Sequence, residues 1–186
     1  MNIGFALCGS FCTYEKVFPV MEALAQEHTV VPIFSFAATS VDSRFGAAAA
    51  HLARAEAICG RKALVSIPDV EPIGPKKMLD ALVIAPCTGN TLAKLAHSIA
   101  DTPVTMAAKS HLRNGRPVVL AVSTNDALAG AAENIGKLLG RKHYYFVPFG
   151  QDDPMNKPTS MVADFEKIGA TVETAAKGKQ IQPILI

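Results

Sequence analysis

The sequence predicts an α/β protein, a three-layer αβα sandwich around a mainly parallel sheet. Strand-like and helix-like segments alternate along the chain. The strand-like runs are short, apolar and partly β-branched, as in Ala81-Leu-Val-Ile-Ala85, the pattern of strands covered on both faces. Composition agrees, with 49% hydrophobic and 18% charged residues, which suits an internal sheet or a subunit that hides surface in an oligomer. A length of 186 residues without a linker or compositional break fits a single domain, 1–186.

The apolar start Asn2-Ile-Gly-Phe-Ala-Leu7 lacks the positive residues of a signal peptide and reads as a first strand over 2–8. An amphipathic helix follows over 14–27, which Pro19 should bend by removing a hydrogen bond. A second strand is expected over 29–35, then an Ala-rich helix over 45–59 stopped by Gly60. Pro68, Pro72 and Pro75 make 61–79 an irregular excursion, with a short helix at Gly74-Pro-Lys-Lys77. The strand over 80–85 is ended by Pro86, and Thr88, Asn90 and Thr91 are N-cap candidates for a helix over 90–99. Periodicity places further helices at 104–113, 127–139 and 160–177, and strands at 117–122 and 144–148. The tail Lys179–Ile186 is apolar at its end and should dock, as an edge strand or against another subunit.

Several classes are excluded by charge and cysteine usage. A net charge of +2, with Lys and Arg scattered and no interleaved aromatics, argues against nucleic acid. Cys8, Cys12, Cys59 and Cys87 form no C-x-x-C pair and have no His at ligand spacing, so no metal site is expected. Reduced thiols in a cytoplasmic protein follow, and no apolar run is long enough to span a membrane.

Function should sit at the carboxyl ends of the strands. Four loops there are rich in small hydrogen-bonding residues: Cys8-Gly-Ser-Phe-Cys-Thr13, Ser35-Phe-Ala-Ala-Thr-Ser40, Pro86-Cys-Thr-Gly-Asn-Thr91 and Ser123-Thr-Asn-Asp126. In an open α/β sheet such loops line one crevice, where helix N-termini offer free N–H groups to an anion. Capping alone explains any one of these loops; together they outline a phosphate or cofactor cradle. The Gly-rich loop is too short for G-x-G-x-x-G, which argues against NAD bound in the usual way.

The segment Ala85-Pro-Cys-Thr-Gly-Asn-Thr91 resembles the Pro-x-x-x-Asn-Thr signature of the flavoprotein superfamily, which contains the homo-oligomeric flavin-containing cysteine decarboxylases. Within it, nearly the whole chain resembles the family of dipicolinate synthase B subunits. That likeness rests on Gly9–Tyr14, Asp42–Gly46, Glu71–Lys77, Arg116–Asp126, Tyr145–Asp152 and the tail Gly178–Ile186.

The resemblance implies a Rossmann-like flavoprotein fold and an FMN site built from Gly9, Ser10, Phe11, Ser35, Phe36, Thr88, Gly89, Asn90, Thr91 and Ser123, whether the cofactor is kept or the pocket is vestigial. It also implies an oxidoreductase subunit that acts with an NAD(P)-binding A subunit to oxidise a dihydrodipicolinate-type intermediate during sporulation, in the mother-cell cytoplasm. A homo-oligomer, possibly trimer-based, is implied as well. Alternatives are a flavin-dependent decarboxylase or prenyltransferase and a non-catalytic assembly partner.

The decarboxylases carry a catalytic His-Phe pair where this chain has Arg44-Phe45. Arg is not an acid or base near neutral pH, but it can clamp one carboxylate of a small dicarboxylate; otherwise Arg44 is a surface residue or pairs with Asp42. Asn125 is expected to contact substrate, and Asp126 and Asn125 are the catalytic candidates, with Asp152 a further acid or base. The five histidines lie outside the loops and read as structural, and Lys76, Lys77, Lys109 and Arg113 are available to attract an anion.

Overall fold

The apolar runs become the centre of a seven-stranded sheet. In a computed structural model, which describes residues 1–186, β1 (Asn2–Leu7) lies between β2 (Thr29–Phe34) and β3 (Ala81–Cys87), and β4 (Val118–Thr124) lies beyond β3, all parallel. All seven residues of β3 are buried, as a strand covered on both faces requires. β5 (Tyr144–Phe146) continues the parallel order β2-β1-β3-β4-β5 along the first half of β4. Beyond Leu120, β5 has peeled away. The exposed edge of β4 is taken over there by an antiparallel pair, β6 (Phe149–Gly150) and β7 (Met161–Ala163).

Helices cover both faces. They are α1 (Tyr14–Glu27), α2 (Phe36–Ser40), α3 (Ala48–Cys59), α4 (Ile67–Val70), α5 (Gly89–Ala96), α6 (Pro103–Leu112), α7 (Ala132–Leu139) and α8 (Ile168–Ala176). α1 packs with α3 and α8, while α5 packs with α6 and α7. One hydrophobic cluster of 48 buried residues joins the sheet to both helical layers.

Five details depart from the sequence reading. Pro86 does not end β3; the strand runs on to Cys87 through a register shift after Ile84. Residues 160–177 are not one helix, because Met161–Ala163 pairs with Ser123 and Thr124 before α8 begins. Turns occupy 125–131, so only Ala132–Leu139 of the expected helix forms. The short helix of the excursion is α4, opened by a Ser66–Asp69 capping box, and not Gly74–Lys77. Gly74 itself lies where a Cβ would stand 2.7 Å from the Ser110 carbonyl oxygen, so α6 can approach that turn. Ser35 opens the short helix α2 as its N-cap.

α1 passes through Pro19 without termination. The tail docks through its backbone: Phe149 N–H donates to the Ile184 carbonyl and Ile186 N–H to the Phe149 carbonyl, while the Leu185 and Ile186 side chains stay exposed.

His111 is fully buried on α6, with Nε2 3.1 Å from the Pro117 carbonyl oxygen and Nδ1 unpartnered. Burial pushes its pKa down to about 4; the Pro117 carbonyl opposes the shift and the Arg116 charge adds to it. Between pH 4 and the unfolded value near 6.5, the unfolded chain therefore binds the extra proton, and stability falls as pH falls. Urea unfolding should show a loss of about 2 kcal/mol between pH 7 and pH 5 from this group. A His111→Gln variant should lose that part of the pH dependence.

Candidate functional site

The site follows from the direction of two crossovers. From β1 the chain runs through α1 to β2 on one side; from β3 it runs through α5 and α6 to β4 on the other. The loops after β1 and β3 thus separate and open a crevice at the topological switch point. A cleft of about 1030 Å³ lies there, at the upper end of the range for ligand sites.

Its floor is polar and tightly tied. The Ser10 and Ser123 hydroxyls are 2.8 Å apart, joining the loop after β1 to the end of β4. The Tyr14 hydroxyl donates to the Cys8 carbonyl at 2.8 Å, and the Thr91 hydroxyl reaches the Cys8 thiol at 3.3 Å. Thr88 caps α5 by accepting from the Thr91 N–H, leaving the first N–H groups of the helix, at Gly89 and Asn90, facing the cleft. Burial pushes the Cys8 thiol up to about 11 against the Thr91 hydrogen bond, and raises Cys87 well above the usual thiol range. Neither is a nucleophile at neutral pH.

Thr124 and Asp126 form the wall beside α5. The Thr124 hydroxyl donates to Asp126 Oδ1 at 2.5 Å. A Cβ on Gly89 would lie 2.8 Å from both oxygens, so the glycine lets this pair close over the helix start. The β6–β7 connection supplies the remaining wall with Asp152, Lys157 and Ser160. It is braced on the Asn125 loop: the Thr159 hydroxyl donates to the Asn125 carbonyl at 2.7 Å and Leu128 N–H to the Thr159 carbonyl at 3.0 Å. A hydrogen bond from Ser160 holds the Asp152 carboxyl below the ordinary value, helped by Lys157 3.4 Å away.

Of the residues singled out by sequence, Gly9, Ser10, Phe11, Thr88, Gly89 and Asn90 line this cleft, as do Ser123, Asn125, Asp126 and Asp152. Others stand outside its lining. Thr91 is buried behind the loop, Ser35 accepts the Ala38 N–H as the cap of α2, and Phe36 is exposed. Arg44 is exposed with its guanidinium over the Phe45 ring, 4.8 Å from the centroid, and Asp42 accepts the Ala48 N–H instead of pairing with it. Ser43 and Phe45 reach the rim.

None of Lys76, Lys77, Lys109 and Arg113 lines the cleft, nor does any histidine. His51 is buried, stacked on Phe18 and edge-on to Tyr14. Cys12 and Thr124 line the cleft too, within two of the loops singled out by sequence, whereas sequence reasoning passed over Lys16, Lys157 and Ser160. Lys157 and Ser160 follow no parallel strand, so no strand-end signal marks them.

The flavoprotein family model matches residues 1–174. The chain belongs to the flavoprotein family. It is 49% identical to the dipicolinate synthase B subunit of Bacillus subtilis (strain 168) over 186 residues, all of this chain and 93% of that protein. The crystal structure of the dipicolinate synthase B subunit from Bacillus halodurans C superposes with a TM-score of 0.91 at 44% identity, covering 100% of this chain and 95% of that one. The FMN-dependent cysteine decarboxylase SpaF shares the fold, with a TM-score of 0.70 at 23% identity over 95% and 97% of the two chains.

This flavoprotein's cleft fits a flavin nucleotide. Its volume is sufficient, hydroxyls and the start of α5 line it, and at Gly9 no atom lies within 3.7 Å of where a Cβ would stand, which lets a ligand approach the backbone. A Gly89→Ala substitution should force the Thr124–Asp126 pair aside, lowering stability by about 1–3 kcal/mol in denaturant titrations and weakening the binding of a flavin. Unchanged stability and affinity would mean that the pair moves freely.

Proposed function

We propose that this chain is the B subunit of a two-subunit dipicolinate synthase, acting with an NAD(P)-binding A subunit to oxidise a dihydrodipicolinate-type intermediate to dipicolinate. The observation that carries the reading is 49% identity along the whole chain to a protein of that name. The cleft is consistent with it, being polar and sized for a nucleotide beside a small acid.

FMN is the proposed cofactor, and when bound it supplies a two-electron acceptor, which aromatisation of a dihydropyridine requires. Gly9, Ser10, Phe11 and Thr88–Asn90 would hold it from below, with Ser123 joining at the end of β4; Ser35, Phe36 and Thr91 would act through the short helix α2 and the buried side of the cradle. The protein's own chemical task is proton handling. Loss of a hydride equivalent from the ring must be matched by loss of a proton, and Asp126 is the base proposed to take it. Thr124 hydrogen-bonds Oδ1, which leaves Oδ2 for the proton. Asn125 stands on the same loop to orient the substrate. A decarboxylase reading lacks its usual His, since Arg44 occupies that place in the sequence.

A homo-oligomer, possibly trimer-based, is part of the proposal. Phe36, Val41 and Phe45 are all more than 40% exposed, on one stretch after β2. Light scattering at micromolar concentration should return a multiple of the 19.6 kDa chain mass, and a monomer mass would contradict it.

Co-purification with the NAD(P)-binding subunit, followed by assays with each subunit omitted, tests the function. Dipicolinate formation should need both chains, and Asp126→Asn should lower kcat at least a hundredfold. Full activity of either chain alone would overturn the two-subunit reading.

A further inference from the structure

Lys16 and Lys157 are the cationic side chains that line the cleft. They stand on different walls. Lys16 lies in the first turn of α1, after the Gly9–Thr13 stretch that leaves β1, and Lys157 lies in the β6–β7 connection against the end of β4. Along the sheet, β3 and β4 lie between β1 and β7, so the two lysines approach the cleft from opposite sides of the β3–β4 strand ends.

Both ammonium groups have capacity to spare. Lys16 has no carboxylate within ion-pair distance, and its neighbour Glu15 is committed to Arg54 at 2.9 Å. Lys157 is 3.4 Å from Asp152, which occupies one of its three donors. Its loop is held in place on either side: Lys157 N–H donates to the Asp153 carbonyl at 2.7 Å and Ser160 N–H to the Lys157 carbonyl at 3.0 Å. Arg44, the cation that sequence reasoning favoured, is stacked on Phe45 at the rim and is not itself among the lining residues.

We infer that Lys16 and Lys157 form a two-point subsite for a small dicarboxylate, each ammonium receiving one carboxylate across the cleft. The choice of a dicarboxylate rests on the function proposed above; the geometry adds which residues select it. A monocarboxylate of the same ring would lose one of the two contacts. Asp126, in the wall beside α5, is then left for the ring rather than for a carboxylate.

Calorimetry with FMN present, using pyridine-2,6-dicarboxylate and pyridine-2-carboxylate as probes, tests the subsite without requiring turnover. The diacid should bind this chain, without its partner, about tenfold or more tightly than the monoacid. Lys16→Met and Lys157→Met should each erase that advantage while leaving the thermal unfolding curve in place, and Lys157→Arg should keep part of it. In the reconstituted two-subunit enzyme each Met variant should raise KM about tenfold with kcat within about twofold. Equal affinity for the two acids in the unaltered chain, absence of binding by either, or a diacid preference that survives both Met substitutions would overturn the subsite. A lysine-dependent preference in a chain that supports no dipicolinate formation would sustain the subsite and refute the two-subunit function.

Discussion

The divergence of the chain after β1 and β3 is the constraint on which the site depends. Parallel strands need crossovers, and a right-handed crossover to the left of β1 and another to the right of β3 cannot both cover the gap between them. The gap exposes strand ends and the start of α5, whose backbone groups need partners. Side chains supply them in part. Ser10 meets Ser123, Tyr14 ties down the Cys8 carbonyl, and Thr88 caps α5. These bonds set the floor rigidly enough for the remaining N–H groups to face one volume.

A second dependence runs from the far end of the chain to the cleft. The tail pairs with Phe149, Phe149 opens β6, and β6 launches the loop that carries Asp152 and Lys157. β7 then returns along Ser123 and Thr124, the residues beside Asp126. The wall facing α1 is therefore built from residues after 148 and is braced on the loop it faces. Its electrostatics are mixed. Two carboxylates and two ammonium groups share the lining, with Asp152 and Lys157 already near each other and Lys16 without a partner.

Much of this was legible in the sequence because the physics was local. β1 to β4 announce themselves as apolar runs, and Ser, Thr, Asn and Gly clusters at their ends mark the cradle. What escaped was set by tertiary pairing. Met161–Ala163 reads as helix by pattern and becomes a strand because β4 has an open edge. Pro86 looks like a strand breaker and is tolerated at a register shift. Arg44 has the right chemistry at the place in the sequence where the decarboxylases keep their His, yet its own neighbour Phe45 offers a ring to stack on. Lys157 carries no local signal at all; it reaches the cleft only because β6 and β7 fold back on β4.

The crevice at the β1/β3 switch point, and no other concavity, is the proposed receptor of cofactor and substrate. A groove between α1 and the Asp164–Gly169 stretch, about 720 Å³ in volume, is the main competitor. Amide hydrogen exchange on the chain with and without FMN plus pyridine-2,6-dicarboxylate separates the two. New protection is expected in residues 9–13, 88–91, 123–126 and 152–160, with the groove segments 19–27 and 164–169 unchanged. Protection confined to those groove segments, or none at the switch point, would contradict it.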